Sequence, residues 1–316
     1  MNLSHSKRIL FIGSKALGLS ILREMFAISS ETLVGALTID DSDDSRSCFN
    51  TFQSFCGEKQ IELLVAKNRK ASEEIIREFQ PDLCIVVGWY WFISKSTLTS
   101  VPNGFIGIHN SLLPKLKGGS PLVWSILNGD PYAGFSLFSF TEGMDDGPVW
   151  AQGKVRIEHT DFIADVLNKL EVETLQVFKD VYPNLLNGSA QSKGQDPAES
   201  TFCSQRCPED GLIDWTAPAE KIYDFIRAQS APYPGAYTNF KENKLTIWKA
   251  KLFDPPYLGC PGQVARITDE GVYVICGDSR AIIIEEVSLD GKHGTATEYI
   301  KSITVRLSNR QPTDRG

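Results

Sequence analysis

Three short apolar runs, separated by stretches of helical spacing, constrain this chain more than any other feature. They are Lys7 to Gly13 (with Ile9-Leu10-Phe11-Ile12 at its centre), Leu33 to Ile39, and Leu83 to Val87. None shows the polar–apolar alternation of a half-exposed strand. Such runs belong to strands buried on both faces, as in a parallel sheet covered by helices. The intervening Leu17 to Met25, Phe49 to Lys59 and Ala71 to Phe79 suit helices. A β-α-β opening of this kind predicts a doubly wound α/β domain. Gly13 and Gly18 do not complete a G-x-G-x-x-G pattern, so a dinucleotide site is weakly supported.

The chain continues in the same style to about residue 186. Gly134 to Phe140 and Gly147 to Val155 read as strands, and Pro121 to Leu127 as a short helix. Asp161 to Val181 reads as a long amphipathic helix with Thr160 or Asp161 as its N-cap. Asn187 to Ser200 is polar and reads as part of a linker, set at 187–205. Beyond it the character changes. A helix over Ala219 to Gln229 and a turn at Pro232-Tyr233-Pro234-Gly235 precede short strands about ten residues apart, from Ala236 to Val287. That spacing predicts a small barrel. The expected organisation is a domain over 1–186, the linker, and a second domain over 206–316. A length of 316 residues fits two domains.

Bulk properties exclude several classes. No apolar stretch approaches the roughly 20 residues of a membrane helix. Met1 to Lys7 is short and polar, and a cytoplasmic protein without a signal peptide is expected. The seven cysteines are odd in number and scattered, which argues for reduced thiols rather than a disulfide framework. Cys203 and Cys207 form a lone C-x3-C pair without a second pair or a nearby histidine, so no metal site is expected. A net charge of −7 disfavours a protein that tracks nucleic-acid phosphates. Asp40 to Ser45 reads as a solvated acidic loop.

The chemistry concentrates around His109 and Asp145. Of His5, His109, His159 and His293, only His109 adjoins a run that reads as a built site. It ends the apolar stretch Phe105-Ile106-Gly107-Ile108 and opens Asn110-Ser111-Leu112-Leu113-Pro114. Met144-Asp145-Asp146-Gly147-Pro148 is an acidic turn after another strand-like run. An imidazole and a carboxylate at the ends of two strands suffice for proton transfer at neutral pH, with Asp145 orienting the imidazole. No G-x-S-x-G elbow is present, which disfavours a serine hydrolase. Lys115-Leu116-Lys117-Gly118-Gly119 reads as a flexible basic loop able to meet a phosphate or carboxylate. Gly88-Trp89-Tyr90-Trp91-Phe92, at a strand's carboxyl end, suits either a pocket for a flat ring or packing against the next helix.

These motifs resemble the formyltransferases that use N10-formyltetrahydrofolate. The resemblance rests on Gly107-Ile108-His109-Asn110-Ser111-Leu112-Leu113-Pro114, on Lys117-Gly118-Gly119-Ser120-Pro121-Leu122-Val123-Trp124, and on Asp145-Asp146-Gly147. In the second half it rests on Pro208 to Gly211, Ile213-Asp214-Trp215, Ile226-Arg227-Ala228, Pro232 to Ala236, and Ile247-Trp248-Lys249-Ala250. There the chain is similar both to the C-terminal domain of methionyl-tRNA formyltransferase and to the formyltransferase acting on UDP-aminoarabinose. The resemblance implies a Rossmann-like catalytic domain followed by an OB-like domain, and N10-formyltetrahydrofolate as cosubstrate. It implies His109 as acid/base with Asp145 as its partner. Gly88 to Phe92, with Asp145, would hold the pterin. Ser111, Leu112, Leu113, Pro114, Lys115, Lys117 and Gly118 would line the substrate side.

One position departs from the family pattern. The family's third catalytic residue is an Asn two places before the histidine, and here that place is Gly107. Residues two apart on a strand share a face, so the missing amide would have stood beside His109. Losing one oxyanion donor typically costs roughly 2.7–4 kcal/mol of barrier. His109, a backbone N–H or a water are the candidate substitutes; a non-catalytic relative is the alternative. For the acceptor, the expectation is the amine of a nucleotide-linked amino sugar. Asp40 to Asp44 stand where the tRNA enzymes typically carry a basic insertion, and like charge opposes a polyanion. Methionyl-tRNA is the second reading. A homodimer through the second domain is compatible with the sequence.

Overall fold

A computed structural model describes residues 7–308. The chain forms two compact units: residues 7–121, 133–155 and 168–203 in one, and 122–132, 156–167 and 204–308 in the other.

The first unit is built on a seven-stranded sheet. In chain order its elements are β1 (Ile9–Gly13), α1 (Lys15–Ser29), β2 (Leu33–Thr38), α2 (Phe49–Lys59), β3 (Leu63–Val65), α3 (Arg69–Phe79), β4 (Leu83–Val87), α4 (Lys95–Leu98) and β5 (Phe105–His109). Then come β6 (Lys117–Gly118), β7 (Tyr132–Ser139), β8 (Val149–Arg156), α6 (Ile163–Asn187) and β9 (Phe202–Cys203), while α5 (Pro121–Asn128) falls almost wholly in the second unit. The strand order is β3-β2-β1-β4-β5-β7-β8. β1 to β5 run parallel, and β7 is antiparallel to β5.

Every residue of β1 and of β4 is buried, as their unbroken apolar runs require. Alternate residues serve opposite faces. Ile9, Phe11, Leu83, Ile85 and Val87 join Leu22 and Met25 of α1 and Phe178 and Tyr182 of α6 in one core. Leu10, Ile12, Cys84 and Val86 join Ile76 of α3 in the other. Asn68 caps α3, its side chain accepting the Ala71 N–H at 3.0 Å. The order reverses between β1 and β4, and a crevice outside the carboxyl ends of strands at such a switch point is where this class of sheet binds ligands.

The second unit is rich in antiparallel strands. It holds α7 (Ala219–Gln229), β10 (Ala236–Phe240), β11 (Asn243–Phe253), β12 (Val264–Thr268), β13 (Gly271–Ile275), β14 (Ala281–Leu289), β15 (Lys292–Thr295) and α8 (Ala296–Tyr299). The sheet order is β10-β11-β14-β13-β12, with β15 also on β14. Residues 306–308 bridge both edges, Ser308 to Asn239 of β10 and Arg306 to Gln263 beside β12. These bridges give part of each outer strand a main-chain partner, which shortens the exposed edges. Ile222 and Ile226 of α7 share its core with Ile247 and Ile284.

Several elements differ from the sequence reading. β3 and β15 are too short to carry a periodic signal. Helix α6 continues to Asn187, six residues beyond the expected end at Val181. Part of the expected linker is not a free tether. Val149 pairs with Lys193, and Phe202–Cys203 forms a parallel ladder with Lys117–Gly118. No disulfide joins the seven cysteines. Among the described residues no helix is long and apolar enough to cross a membrane.

Candidate active site

His109 is the last residue of β5, paired across the ladder with Ser136 of β7. Its side chain is 11% exposed and that of Asp145 is 23% exposed. Nδ1 of His109 lies 3.6 Å from Oδ2 of Asp145, which is close enough for strong electrostatic interaction but beyond a hydrogen bond. The bond that orients the ring comes from elsewhere: Nε2 stands 2.8 Å from the Leu116 carbonyl. A carbonyl only accepts, so Nε2 carries the hydrogen and Nδ1 is the nitrogen that faces Asp145. Orientation of the imidazole thus falls to a main-chain group, where the sequence suggested Asp145.

The loop between them is a bridge. The Gly118 N–H donates to Asp145 Oδ2 at 2.8 Å, while Leu116, two residues earlier, holds His109. Left-handed backbone concentrates here: Leu116 has φ 52°, Gly118 103°, Ser120 54° and Asp145 49°. Non-glycine residues in that region cost of order 1–3 kcal/mol each and persist only where the surroundings enforce them. At Gly118 a Cβ would stand 2.4 Å from the Cys203 carbonyl oxygen, so only glycine fits.

Residues with no signal in sequence hold this loop. Ser136, fully buried, donates its hydroxyl to the Ser111 carbonyl at 2.7 Å and accepts the Leu113 N–H at 3.0 Å. Gln152 donates to Ser136 Oγ at 2.8 Å and to the Leu113 carbonyl at 2.9 Å. Gln195 donates to the carbonyls of Asp145 and Gly147 at 2.8 and 2.7 Å. Ser136 and Gln152 lie on strands the sequence predicts, and Gln195 lies in the expected linker.

The residues expected to meet substrate divide. Ser111, Leu113 and Lys117 are buried, at 2%, 5% and 5% exposure. Ser111 donates to the Lys115 carbonyl at 2.6 Å, and Lys117 lies in β6. The picture of a flexible basic loop with both lysines open to an anion is therefore corrected: β6–β9 pairing draws Lys117 inward and leaves Lys115 exposed. The main chain of Gly118 reaches Asp145, and Leu112 packs against Gly134.

The aromatic run also divides. Trp89 and Trp91 meet edge to face at 5.2 Å and pack on the core of β1 and β4. Tyr90 and Phe92 are 48% and 79% exposed. The packing reading thus holds for Trp89 and Trp91, while Tyr90 and Phe92 face outward. Gly88 has φ 64°, and a Cβ there would lie 2.9 Å from the Ser14 carbonyl oxygen.

The acidic loop is not simply solvated. Lys15 reaches Asp41 and Asp44 at 2.7 and 2.8 Å, and Arg46 reaches Asp44 at 2.7 Å. Tyr90 donates its hydroxyl to Asp41 at 3.3 Å. Burial pulls the Lys15 ammonium down, but its bonds to Asp41 and Asp44 outweigh that and raise it. Burial likewise opposes ionisation of Asp41, yet Lys15 and Ser47 hold its carboxyl below the usual range. Arg46, with Lys15, holds Asp44 well below it. Two of the four expected negative charges are thus neutralised in place.

Beside His109, the position of the missing amide is filled. A Cβ at Gly107 would stand 2.2 Å from Cε1 and 2.7 Å from Cζ of Phe140. Phe138 meets His109 edge to face at 6.4 Å, and its ring lies tilted against Phe140 at 5.3 Å. Apolar rings replace a polar donor there. Among the described residues, no group of three or more His, Cys, Asp or Glu side chains could hold a metal ion.

The His109–Asp145 pair lies beneath the bridging loop at the end of a strand in an α/β sheet of this order. The Formyl transferase family pattern matches residues 43–182, and the Formyl transferase C-terminal domain pattern matches residues 207–304. Methionyl-tRNA formyltransferase of Bacillus subtilis (strain 168) is 30% identical over 290 residues, covering 90% of this chain and 91% of that protein. The chain belongs to the formyl transferase family. Among solved structures it is similar to HypX from Aquifex aeolicus in complex with tetrahydrofolic acid, with a TM-score of 0.64 and 18% identity. That match covers 93% of this chain, which spans 46% of the length of HypX. It is also similar to the N-formyltransferase from Helicobacter canadensis in complex with folinic acid and dTDP-3-aminofucose, with a TM-score of 0.67, 16% identity, and coverage of 88% and 98% of the two chains.

Proposed function

We propose that this protein transfers a formyl group from N10-formyltetrahydrofolate to the primary amine of a nucleotide-linked amino sugar. The observation that carries the chemistry is the His109–Asp145 pair, 3.6 Å apart at the carboxyl edge of the sheet. Tyr90 and Phe92, exposed at the end of β4, offer flat faces for the pterin.

As the amine nitrogen bonds the formyl carbon and the carbon–N10 bond breaks, one proton must leave the amine and one must reach N10. His109 is the carrier, using its free Nδ1. Asp145 supplies negative charge beside the imidazole while it holds that proton. The Gly118 N–H keeps the carboxylate in place. No side chain at 107 serves the developing oxyanion: the residue is glycine, and the Phe140 ring fills the space a side chain would take.

Charge favours a small acceptor over a polyanion. Residues 204–308 carry 12 Lys and Arg against 14 Asp and Glu. The cationic groups Lys15 and Arg46 are already committed to Asp41 and Asp44. Binding to tRNA phosphates needs free cations. The relative from Helicobacter canadensis, with its bound amino-sugar nucleotide, supports the same choice. Methionyl-tRNA is the second reading, supported by the 30% identity to the Bacillus subtilis enzyme over nearly the whole chain.

The test is release of tetrahydrofolate when the purified protein meets N10-formyltetrahydrofolate with dTDP-, UDP- or GDP-linked amino sugars, or with methionyl-tRNA. Turnover with a sugar nucleotide is expected. Turnover with methionyl-tRNA alone would replace the first reading by the second. Folate binding without turnover on any amine would make the protein a non-catalytic relative.

A further inference from the structure

We infer that residues 193–203 are a positioning strap that fixes the tautomer and direction of His109 and the stance of Asp145. The inference takes the catalytic roles of that pair from the function proposed above.

The strap grips both halves of the site. At one end Lys193 pairs with Val149, each N–H donating to the other's carbonyl at 2.8 Å. Gln195 then reaches the carbonyls of Asp145 and Gly147 at 2.8 and 2.7 Å. Those two bonds pin the turn that holds Asp145 at φ 49°. The other end grips the bridging loop. The Leu116 N–H donates to Thr201 Oγ1 at 2.9 Å. The N–H groups of Lys117 and Gly119 donate to the carbonyls of Thr201 and Cys203 at 2.9 and 3.0 Å. The Cys203 thiol donates toward the carbonyls of Leu116 and Lys117, each at 3.4 Å.

The Leu116 carbonyl and the Lys117 N–H belong to one peptide. Its N–H is tied to the strap at the Thr201 carbonyl, 2.9 Å away, and its carbonyl holds His109 Nε2 at 2.8 Å. Rotating that peptide would break both bonds together. A ring nitrogen that donates to a fixed carbonyl keeps its hydrogen, so the other nitrogen is the one free to accept a proton. Leu116 would not hold φ 52° unaided. The strap is what enforces it, and Thr201, Cys203 and Gln195 are positioning residues rather than groups that touch the reacting atoms.

The closing experiment reads the tautomer directly. Protein labelled with 15N-histidine gives ring-nitrogen signals for four histidines, and a His109→Asn spectrum identifies those of His109. The native protein at neutral pH is expected to show the Nε2–H form. In Gln195→Leu/Thr201→Val, a mixture of the two neutral forms is expected. With it, kcat should fall roughly 10- to 100-fold, the cost of a misplaced reacting group, with KM for the folate little changed. If the double variant does not fold, Gln195→Leu and Thr201→Val singly carry the same readings in smaller measure. An Nδ1–H form in the native protein, or an unchanged Nε2–H form in the folded variants, would overturn the inference whatever the rate. Because the spectra need no acceptor, failure to formylate any amine counts against the proposed function alone.

Discussion

Phe140 occupies the space in which a side chain at Gly107 would stand, its ring lying 2.2 Å from where the Cβ would be. The glycine and the phenylalanine form one unit, joined across the β5–β7 edge where Phe140 N donates to the Phe105 carbonyl at 2.8 Å. Supplying the family's amide is therefore not a single-residue change.

Gly107→Asn alone should destabilise the fold by about 1–3 kcal/mol, the usual cost of overpacking, and should lower rather than raise activity. Gly107→Asn combined with Phe140→Ala should recover much of that loss and increase kcat relative to Phe140→Ala. Urea denaturation and steady-state rates on the three variants read both effects. A single Gly107→Asn that is stable and faster than the native protein would show that the ring moves aside without cost.

His109→Ala and Asp145→Asn should each lose activity, His109→Ala by roughly 10²- to 10⁴-fold as expected for a proton carrier. Both side chains are partly exposed at a strand end and a turn, so circular dichroism and melting should stay close to native. Near-native rates in either would remove the assigned role.

Phe92→Ala should weaken folate binding without lowering stability, since the side chain is 79% exposed and burial elsewhere is untouched. Trp89→Ala should do the reverse, destabilising a packed core by removing a large ring. Fluorescence titration with tetrahydrofolate, alongside thermal melts, separates the two. Equal folate affinity in Phe92→Ala would remove it from the pterin site.

The Lys15 cluster sets a pH window. Asp41 and Asp44 titrate below the ordinary aspartate value of 3.8 in the folded protein. Their contribution is fully present above that value and is lost as pH falls through the lowered ones. Lys15 titrates above 10.5; its contribution is fully present below 10.5 and lost as pH rises through the raised value. Between those limits Lys15→Met should cost about 1–2 kcal/mol, less than a fully stranded charge because solvent and Arg46 still serve the carboxylates. Denaturation at pH 7 and at pH 3 reads it, and the difference between Lys15→Met and native protein should shrink at the lower pH. A constant difference would show that the cluster contributes through packing.

Sequence patterns reached the architecture where burial is complete. In β1 and β4 both faces are covered, so every side chain must be apolar, and a run such as Leu83-Cys84-Ile85-Val86-Val87 has few alternatives. The short closing pieces were not legible. β3, β6, β9 and β15 have two to four residues each, and main-chain pairing of so few residues leaves no period to read. For the same reason Thr201 to Cys203 passed for linker: polar composition looks alike in a tether and in an edge strand docked on a loop.

At the site, the sequence by itself determined which groups are available: an imidazole ending one strand, a carboxylate in a turn, a glycine where an amide is expected, and aromatics after β4. Tertiary structure decided what each does. It gave the orientation of His109 to the Leu116 carbonyl, filled the place beside Gly107 with Phe140, buried Lys117, and folded Asp41 and Asp44 over Lys15. The physical reason is that residue identity and spacing report local chemistry, whereas hydrogen bonds to carbonyls and contacts between distant rings depend on backbone positions that only long-range packing fixes.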